Sequence, residues 1–214
     1  MTPAENGNQA NREKILEVAA NLFANHGYNG VSVREIAEAA DVTKPVIYYY
    51  FENKEDLHRT LIQTAFRHAA EIHEQVYQSN QPADKQLRDI MRSHFRYCLE
   101  NPDVVKILYD TIGKNINEKG LTAGRPAMLD TGREFRKFSD FVRTGQERGQ
   151  FNPDLNPMKV GMMFLGIMNI FIVTQLHSKR TLLSDEFADE LMDILLYGIA
   201  NNQKLDASSR EEHN

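Results

Sequence analysis

VREIAEAADVTKPVIYYYF, residues 33–51, is laid out as two short helices joined by a tight turn. Ser32 and Glu35 form an S-x-x-E capping box, in which each side chain satisfies an orphan amide at a helix start. Ile36, Ala37, Ala39 and Ala40 are expected on the inner side, where small residues let a second helix approach closely. Asp41 and Val42 make the turn. Thr43 can cap the second helix, and Pro45 is tolerated because it falls in the first turn. Ile47 and Phe51, four residues apart, form the buried side of that helix. Tyr48, Tyr49 and Tyr50 cannot all point inward on a seven-residue helix. At least two must face solvent, where beside Lys44 they suit contacts to sugar-phosphate and base edges.

Outward from this stretch the chain reads as all-helical, with about nine helices. A first helix is expected near residues 11–25, ended by Gly27, and the polar residues before it read as a flexible arm. Asn53, with Asp56 three residues on, caps a fourth helix that runs to about residue 78. A fifth follows Pro82, and a sixth runs from Pro102 to about residue 112. Residues 113–126 carry three glycines and a proline and read as a loop. Helices near residues 128–148, from Pro157 to about 177, and 185–201 complete the map. The last dozen residues are a polar tail. The expected division is 1–53 for the arm and helix-turn-helix domain and 54–214 for a larger helical domain.

The residues 12–61 resemble the DNA-binding domain of the TetR family of bacterial transcriptional repressors. The resemblance has three parts: the amphipathic REKILEVAANLFANHGY, the core GVSVREIAEAADVTKPVIYYYF, and the entry ENKEDL to the next helix. It implies a ligand-responsive regulator, acting as a homodimer on a palindromic operator in double-stranded DNA. By this resemblance Thr43 caps the recognition helix and touches phosphate, and Lys44 is a basic contact. Tyr48 reaches base edges or a thymine methyl, and Tyr49 binds phosphate. Tyr50 stands where histidine is common, and Lys54 contacts the DNA backbone. Pro45 replaces a frequent glycine and has no N–H to offer, so the base preference should be this chain's own.

Charge does not announce nucleic-acid binding. The whole chain carries −5 at neutral pH. In residues 1–54, Arg12, Lys14, Arg34, Lys44 and Lys54 face seven acidic residues, so the cations must be sorted in space. Lys44 and Lys54 are expected to face DNA, with Glu13, Glu17 and Glu38 turned away. Affinity that depends only weakly on electrostatics follows.

The apolar run VGMMFLGIMNIFIV, residues 160–173, is shorter than the roughly 20 residues that cross a bilayer, so a buried helix is expected rather than a membrane segment. It is apolar nearly all round, and neighbours must cover it on several sides. A second copy of this helix and the last one would form a self-complementary four-helix interface. The expected interface residues are Met162, Leu165, Met168, Asn169, Ile172, Phe187, Leu191, Ile194 and Leu195, with Gly198 on the same face. TetR-like proteins dimerise through this region.

The middle helices carry Phe66, His73, Tyr77, Met91, Phe95, Tyr97, Tyr109, Phe135, Phe138 and Phe141. The family resemblance implies a small-molecule pocket among them, suited to a largely apolar effector. No cofactor is implied. His68, Glu71 and Glu74 lie one turn apart, but such pairs are routine on solvated helices, and no metal is expected. The single Cys98 fits a reducing cytoplasm and serves as a packing residue. No phosphate loop, nucleophile elbow or paired acid–base setting appears, so an enzyme is not expected. Two rivals remain open on the sequence: a helical enzyme or lipid-binding protein using the central cavity, and a transcriptional activator or nucleoid protein of the same fold.

Overall fold

The computed structural model describes residues 3–119 and 131–198, and their regular structure is entirely helical. The helices are α1 (Pro3–His26), α2 (Val33–Ala39), α3 (Lys44–Tyr50), α4 (Lys54–Tyr77), α5 (Ala83–Glu100), α6 (Pro102–Lys119), α7 (Thr131–Glu147), α8 (Pro157–His177) and α9 (Asp185–Tyr197).

The expected caps are in place. Ser32 Oγ accepts from the Glu35 amide at 3.2 Å, and Glu35 Oε2 accepts from the Ser32 amide at 2.7 Å. These hydrogen bonds hold the Glu35 carboxyl below the usual carboxylate range. Asn53 Oδ1 accepts from the Asp56 amide at 2.8 Å. Gly27 ends α1 at a φ of 71°, a left-handed conformation that glycine adopts without a Cβ penalty. Asp41 makes the turn between α2 and α3 at a φ of 54°.

Two hydrophobic cores organise the chain. The first joins α1, α2 and α3 to the first half of α4 through Ile15, Phe23, Ile36, Ile47, Phe51, Leu57 and Leu61, and takes in Ile107 of α6. The second joins α5, α7, α8 and α9 through Ile90, Met91, Phe95, Phe138, Phe164, Met168 and Met192. A boundary at residue 53 therefore falls just before a helix that both units share.

An ion-pair ladder fastens α9 to α5. Arg88, Arg92 and Arg96 recur every four residues on α5, as Asp185, Asp189 and Asp193 do on α9. Arg88 pairs with Asp193, Arg92 Nε reaches Asp189 at 3.0 Å, and Arg96 pairs with Asp185. The Arg96 guanidinium holds the Asp185 carboxyl below its usual range.

Several expectations need correction. The polar segment expected as an arm is helical from Pro3, because it has no interior proline and continues the register of α1. Ala39 is exposed, whereas Ala37 and Ala40 are buried, since Ala39 falls outside the arc that faces the neighbouring helices. Thr43 occupies the capping position with an extended backbone, but its side chain makes no cap hydrogen bond. The first half of the expected 113–126 loop is helix: α6 continues through Gly113 to Lys119, because one glycine does not end a helix whose neighbours favour it. The rest of that loop and the expected start of the next helix, residues 120–130, lie outside the described residues, as does the tail from 199. α9 stops at Tyr197, short of the expected residue 201, where Gly198 turns at a φ of 77°.

α8 has the expected bounds. It is 21 residues long and is the one described helix long and apolar enough to cross a membrane by length and composition. It is also not buried all round within one chain. Met162, Met163 and Ile170 are 60%, 57% and 59% exposed, along one arc with Gly166, Asn169 and Thr174. The opposite arc, with Phe164, Met168 and Ile172, fills the second core.

Candidate nucleic-acid interface

α3 presents its residues as its pattern requires. Ile47 and Phe51 are 1% and 2% exposed and lock the helix onto the first core. Burying each contributes roughly 1.5–3 kcal/mol. Tyr48 and Tyr49 face outward, at 52% and 71% exposure. Thr43, Lys44 and Pro45 are exposed beside them. The free Thr43 hydroxyl, the Lys44 ammonium and two tyrosine edges thus share one surface. Tyr50 is half-buried against the first core, its ring edge-on to Tyr49 with centroids 4.9 Å apart. Its hydroxyl donates to Asn8 Oδ1, so it is already engaged within the chain.

Lys54 does not stand with this group. Its ammonium is turned into the domain, donating to the carbonyl oxygens of Tyr28 and Val31, both at 2.9 Å. It also sits 4.2 Å above the Tyr28 ring. The residue ties the start of α4 to the loop between α1 and α2. Sequence reading sent this charge outward because it could not see two carbonyls and an aromatic face converging on it. Glu13, Glu17 and Glu38 are exposed, and Glu38 is paired with Arg34 at 2.7 Å.

A junction the sequence did not reveal couples α1 to α6. Lys106 Nζ donates to the Ala24 carbonyl at 2.6 Å, near the C-terminal end of α1 where carbonyls lack helical partners. Asn21 Nδ2 donates to Asp103 Oδ2 at 3.0 Å. The reading head is therefore held to the second unit by α6 as well as by α4. A lysine five residues into a helix gives no sequence signal of such a role.

The expected pocket residues do not enclose one space. Met91, Phe95 and Phe138 are buried core, at 0%, 0% and 3% exposure. Phe66 packs on the first core instead. Phe135 and Phe138 press on α8 at Gly161, where an added Cβ would lie 3.3 and 3.1 Å from their rings. Tyr109 donates to Asn169 Oδ1. Aromatic rings fill the centre because they interlock: Phe138 stacks on Phe164 at 5.2 Å and Tyr77 on Phe141 at 5.1 Å. His73 and His94 bring their Nε2 atoms to 3.0 Å, and Tyr97 stacks on His68. Burial and the neighbouring His73 and His68 push the His94 imidazole down to about 3.

Two openings lie beside this packed centre. One, of about 340 Å³, is lined by Tyr77 and Phe141 together with Gln86, Lys137, Thr144 and Arg148. The other, of about 350 Å³, lies where α5, α6 and α8 meet, against Cys98, Asp103, Lys106 and Gln175. Asp103 and Lys106 are the residues that grip α1. Burial pushes the Cys98 thiol up to about 11, which keeps it protonated and unreactive at neutral pH. No group of three metal-ligating side chains occurs among the described residues.

The expected interface residues divide between two roles. Met162, Asn169 and Ile194 are exposed, and Leu165, Phe187 and Leu195 are half-buried. Met168, Ile172 and Leu191 are 4%, 4% and 8% exposed and belong to the chain's own core. Gly198 is exposed beyond the end of α9. Met163, Ile170 and Tyr197 complete the uncovered apolar surface and were not expected there.

The comparisons with known proteins agree with this architecture. Residues 15–61 match the family model described as bacterial regulatory proteins, tetR family. The transcriptional regulator AcrR of Shigella flexneri is 38% identical over 85 residues, 39% of each chain. The transcriptional repressor NicS of Pseudomonas putida is 23% identical over 184 residues, covering 85% of this chain and 82% of that protein. The TetR family transcriptional regulator PfmR from Thermus thermophilus superposes with a TM-score of 0.69 at 25% identity, over 87% of this chain and 99% of that one. All three are regulators of transcription and none is an enzyme. The helix-turn-helix with its outward tyrosines lies within residues 15–61, which match the tetR family of bacterial regulatory proteins, and the all-helical fold of the described residues is similar to that of TetR family transcriptional regulators.

Proposed function

We propose that the protein is a ligand-responsive repressor that binds a palindromic DNA operator as a homodimer and is released by a small, largely apolar effector. The observation that carries the reading is the surface of α3. Tyr48 and Tyr49 stand out beside Thr43 and Lys44 on a helix whose other side is locked by Ile47 and Phe51. Tyr48 contacts base edges, while Thr43, Lys44 and Tyr49 contact phosphate. Pro45 lies at the same surface and limits backbone approach. Tyr50 and Lys54 act from behind, positioning the helix and the start of α4.

The uncovered arc of α8, together with the exposed Ile194 and Tyr197 of α9, supports pairing with a second copy. Large apolar residues left exposed along one helix arc, as Met162, Met163 and Ile170 are, mark an association surface. Pairing covers α8 without a bilayer, which supports a cytoplasmic protein that meets the DNA it reads. Residues 1–53 act as the reading head and 54–214 as the effector and dimer unit, with α4 shared.

Effector release follows from linkage. A ligand that prefers a different tilt of α4 or α6 changes the separation of the two recognition helices and lowers DNA affinity. The opening against Asp103 and Lys106 supports a route through α6. Tyr48→Ala should weaken operator binding at least tenfold in a gel-shift titration while leaving the dimer intact by light scattering. Unchanged affinity would remove α3 as the reading element. A promoter-driven transcription assay that gave activation instead of repression would favour an activator of the same fold.

A further inference from the structure

We infer that Asn8, on the N-terminal extension of α1, is a positioning residue that aims the Tyr49 hydroxyl proton at a DNA phosphate. The inference rests on the reading of Tyr49 as a phosphate contact. It comes from one side-chain amide that touches two consecutive tyrosines of the recognition helix. Tyr50 O–H donates to Asn8 Oδ1. Asn8 Nδ2 donates to the Tyr49 hydroxyl oxygen at 3.4 Å. The segment that brings Asn8 there is the helical start of α1, more than forty positions away along the chain.

The chemistry of the amide sets the direction of the chain of hydrogen bonds. A carboxamide oxygen only accepts and its NH₂ only donates. Tyr50 must therefore spend its proton inward on Oδ1. Tyr49, by contrast, receives a hydrogen bond from Nδ2 on its oxygen, and its own proton is left to point elsewhere. Tyr49 is 71% exposed, so that direction is solvent, or DNA when DNA is bound. A hydroxyl that accepts from an N–H is also a better donor through its remaining proton, because linked hydrogen bonds polarise one another. The edge-on packing of the two rings, with centroids 4.9 Å apart, keeps both hydroxyls within reach of the one amide. The arrangement presents a fixed O–H donor to an anionic oxygen. It also compensates in part for the few cations of this reading head, since a neutral donor contributes affinity without net charge.

The test uses the full-length protein and a fluorescent duplex carrying the inverted repeat recovered by the wild type from a random-sequence DNA pool. Affinity is read by anisotropy for the wild type, Asn8→Ala, Tyr49→Phe and the double variant. Each single substitution is expected to weaken binding about tenfold, the scale of one hydrogen bond to a charged group. The double variant should be no more than about twofold weaker than Tyr49→Phe, because both changes break the same contact. The salt dependence should not change in Asn8→Ala, since no cation is lost. Asn8→Asp keeps the size but can only accept, so Tyr49 must donate inward, and binding should fall further than in Asn8→Ala. Alanine and aspartate at this exposed helical position leave the fold intact, which circular dichroism checks. If Tyr49→Phe weakens binding and Asn8→Ala does not, the phosphate reading stands and this inference is overturned. Losses that multiply in the double variant overturn it as well. If Tyr49→Phe binds like the wild type, the phosphate reading of Tyr49 itself fails.

Discussion

Replacing Lys54 by alanine should cost stability rather than DNA contacts. The Lys54 ammonium donates to two backbone carbonyls at 2.9 Å each and lies 4.2 Å from the Tyr28 ring. A hydrogen bond to a charged group contributes about 1.5–3 kcal/mol, and a cation over an exposed aromatic about 0.5–1 kcal/mol. The ammonium is only half-buried, and water can replace part of what it provides. The low end of the sum is about 3.5 kcal/mol, and discounting it by nearly half for water leaves about 2 kcal/mol as the appropriate figure. For a chain of this size that lowers the melting temperature by roughly 4–8 °C. The assay is thermal unfolding by circular dichroism, paired with an operator titration in increasing salt below the transition. The salt slope should equal that of the wild type. A lysine on DNA would behave in the opposite way. The melting temperature would hold, and the slope of log affinity against log salt would fall by about 1.8, for one phosphate lost per subunit of a dimer. That result would refute the inward clamp.

Two further predictions follow from packing and protonation. The folded protein holds His94 at about 3, below the ordinary 6.5, so the neutral ring is the form the fold keeps. Its contribution is complete above about pH 6.5 and is lost as pH falls toward 3, at a rate of at most about 1.4 kcal/mol per pH unit. Denaturant unfolding of the wild type and His94→Gln between pH 7 and 4 should show a shallower decline for the variant; parallel curves would refute it. If the exposed arc of α8 is the dimer interface, Ile170→Glu, at a position 59% exposed, should leave the helical content unchanged and give a monomer by light scattering where the wild type gives a dimer. A dimer that persists at micromolar concentration would move the interface elsewhere.

The reading head was legible in the sequence because its signals are local. Ser32 and Glu35 cap α2, Asn53 caps α4, and Ile47 and Phe51 share one helical face, all within a few residues of each other. The second unit was legible as helices but not as surfaces. α8 is apolar around its whole circumference, so periodicity could not separate the arc of Phe164, Met168 and Ile172, which fills the core, from that of Met162, Met163 and Ile170, which stays outside. The aromatic residues of the middle helices announced a filled centre as readily as a cavity, and only packing distinguished the two. Long-range polar contacts left no trace in the pattern. Lys54 beside Tyr28, Lys106 on Ala24 and Asn8 on Tyr50 join segments that only the fold brings together.

The claim that α3 reads DNA as part of a symmetric pair is tested most directly by selecting duplexes from a random-sequence pool with the full-length protein and sequencing what it retains. The account predicts enrichment of an inverted repeat whose half-sites lie about one helical turn apart, or a multiple of it, and loss of that enrichment with Tyr48→Ala. A retained pool with no sequence preference, or the same repeat recovered by Tyr48→Ala, would contradict it.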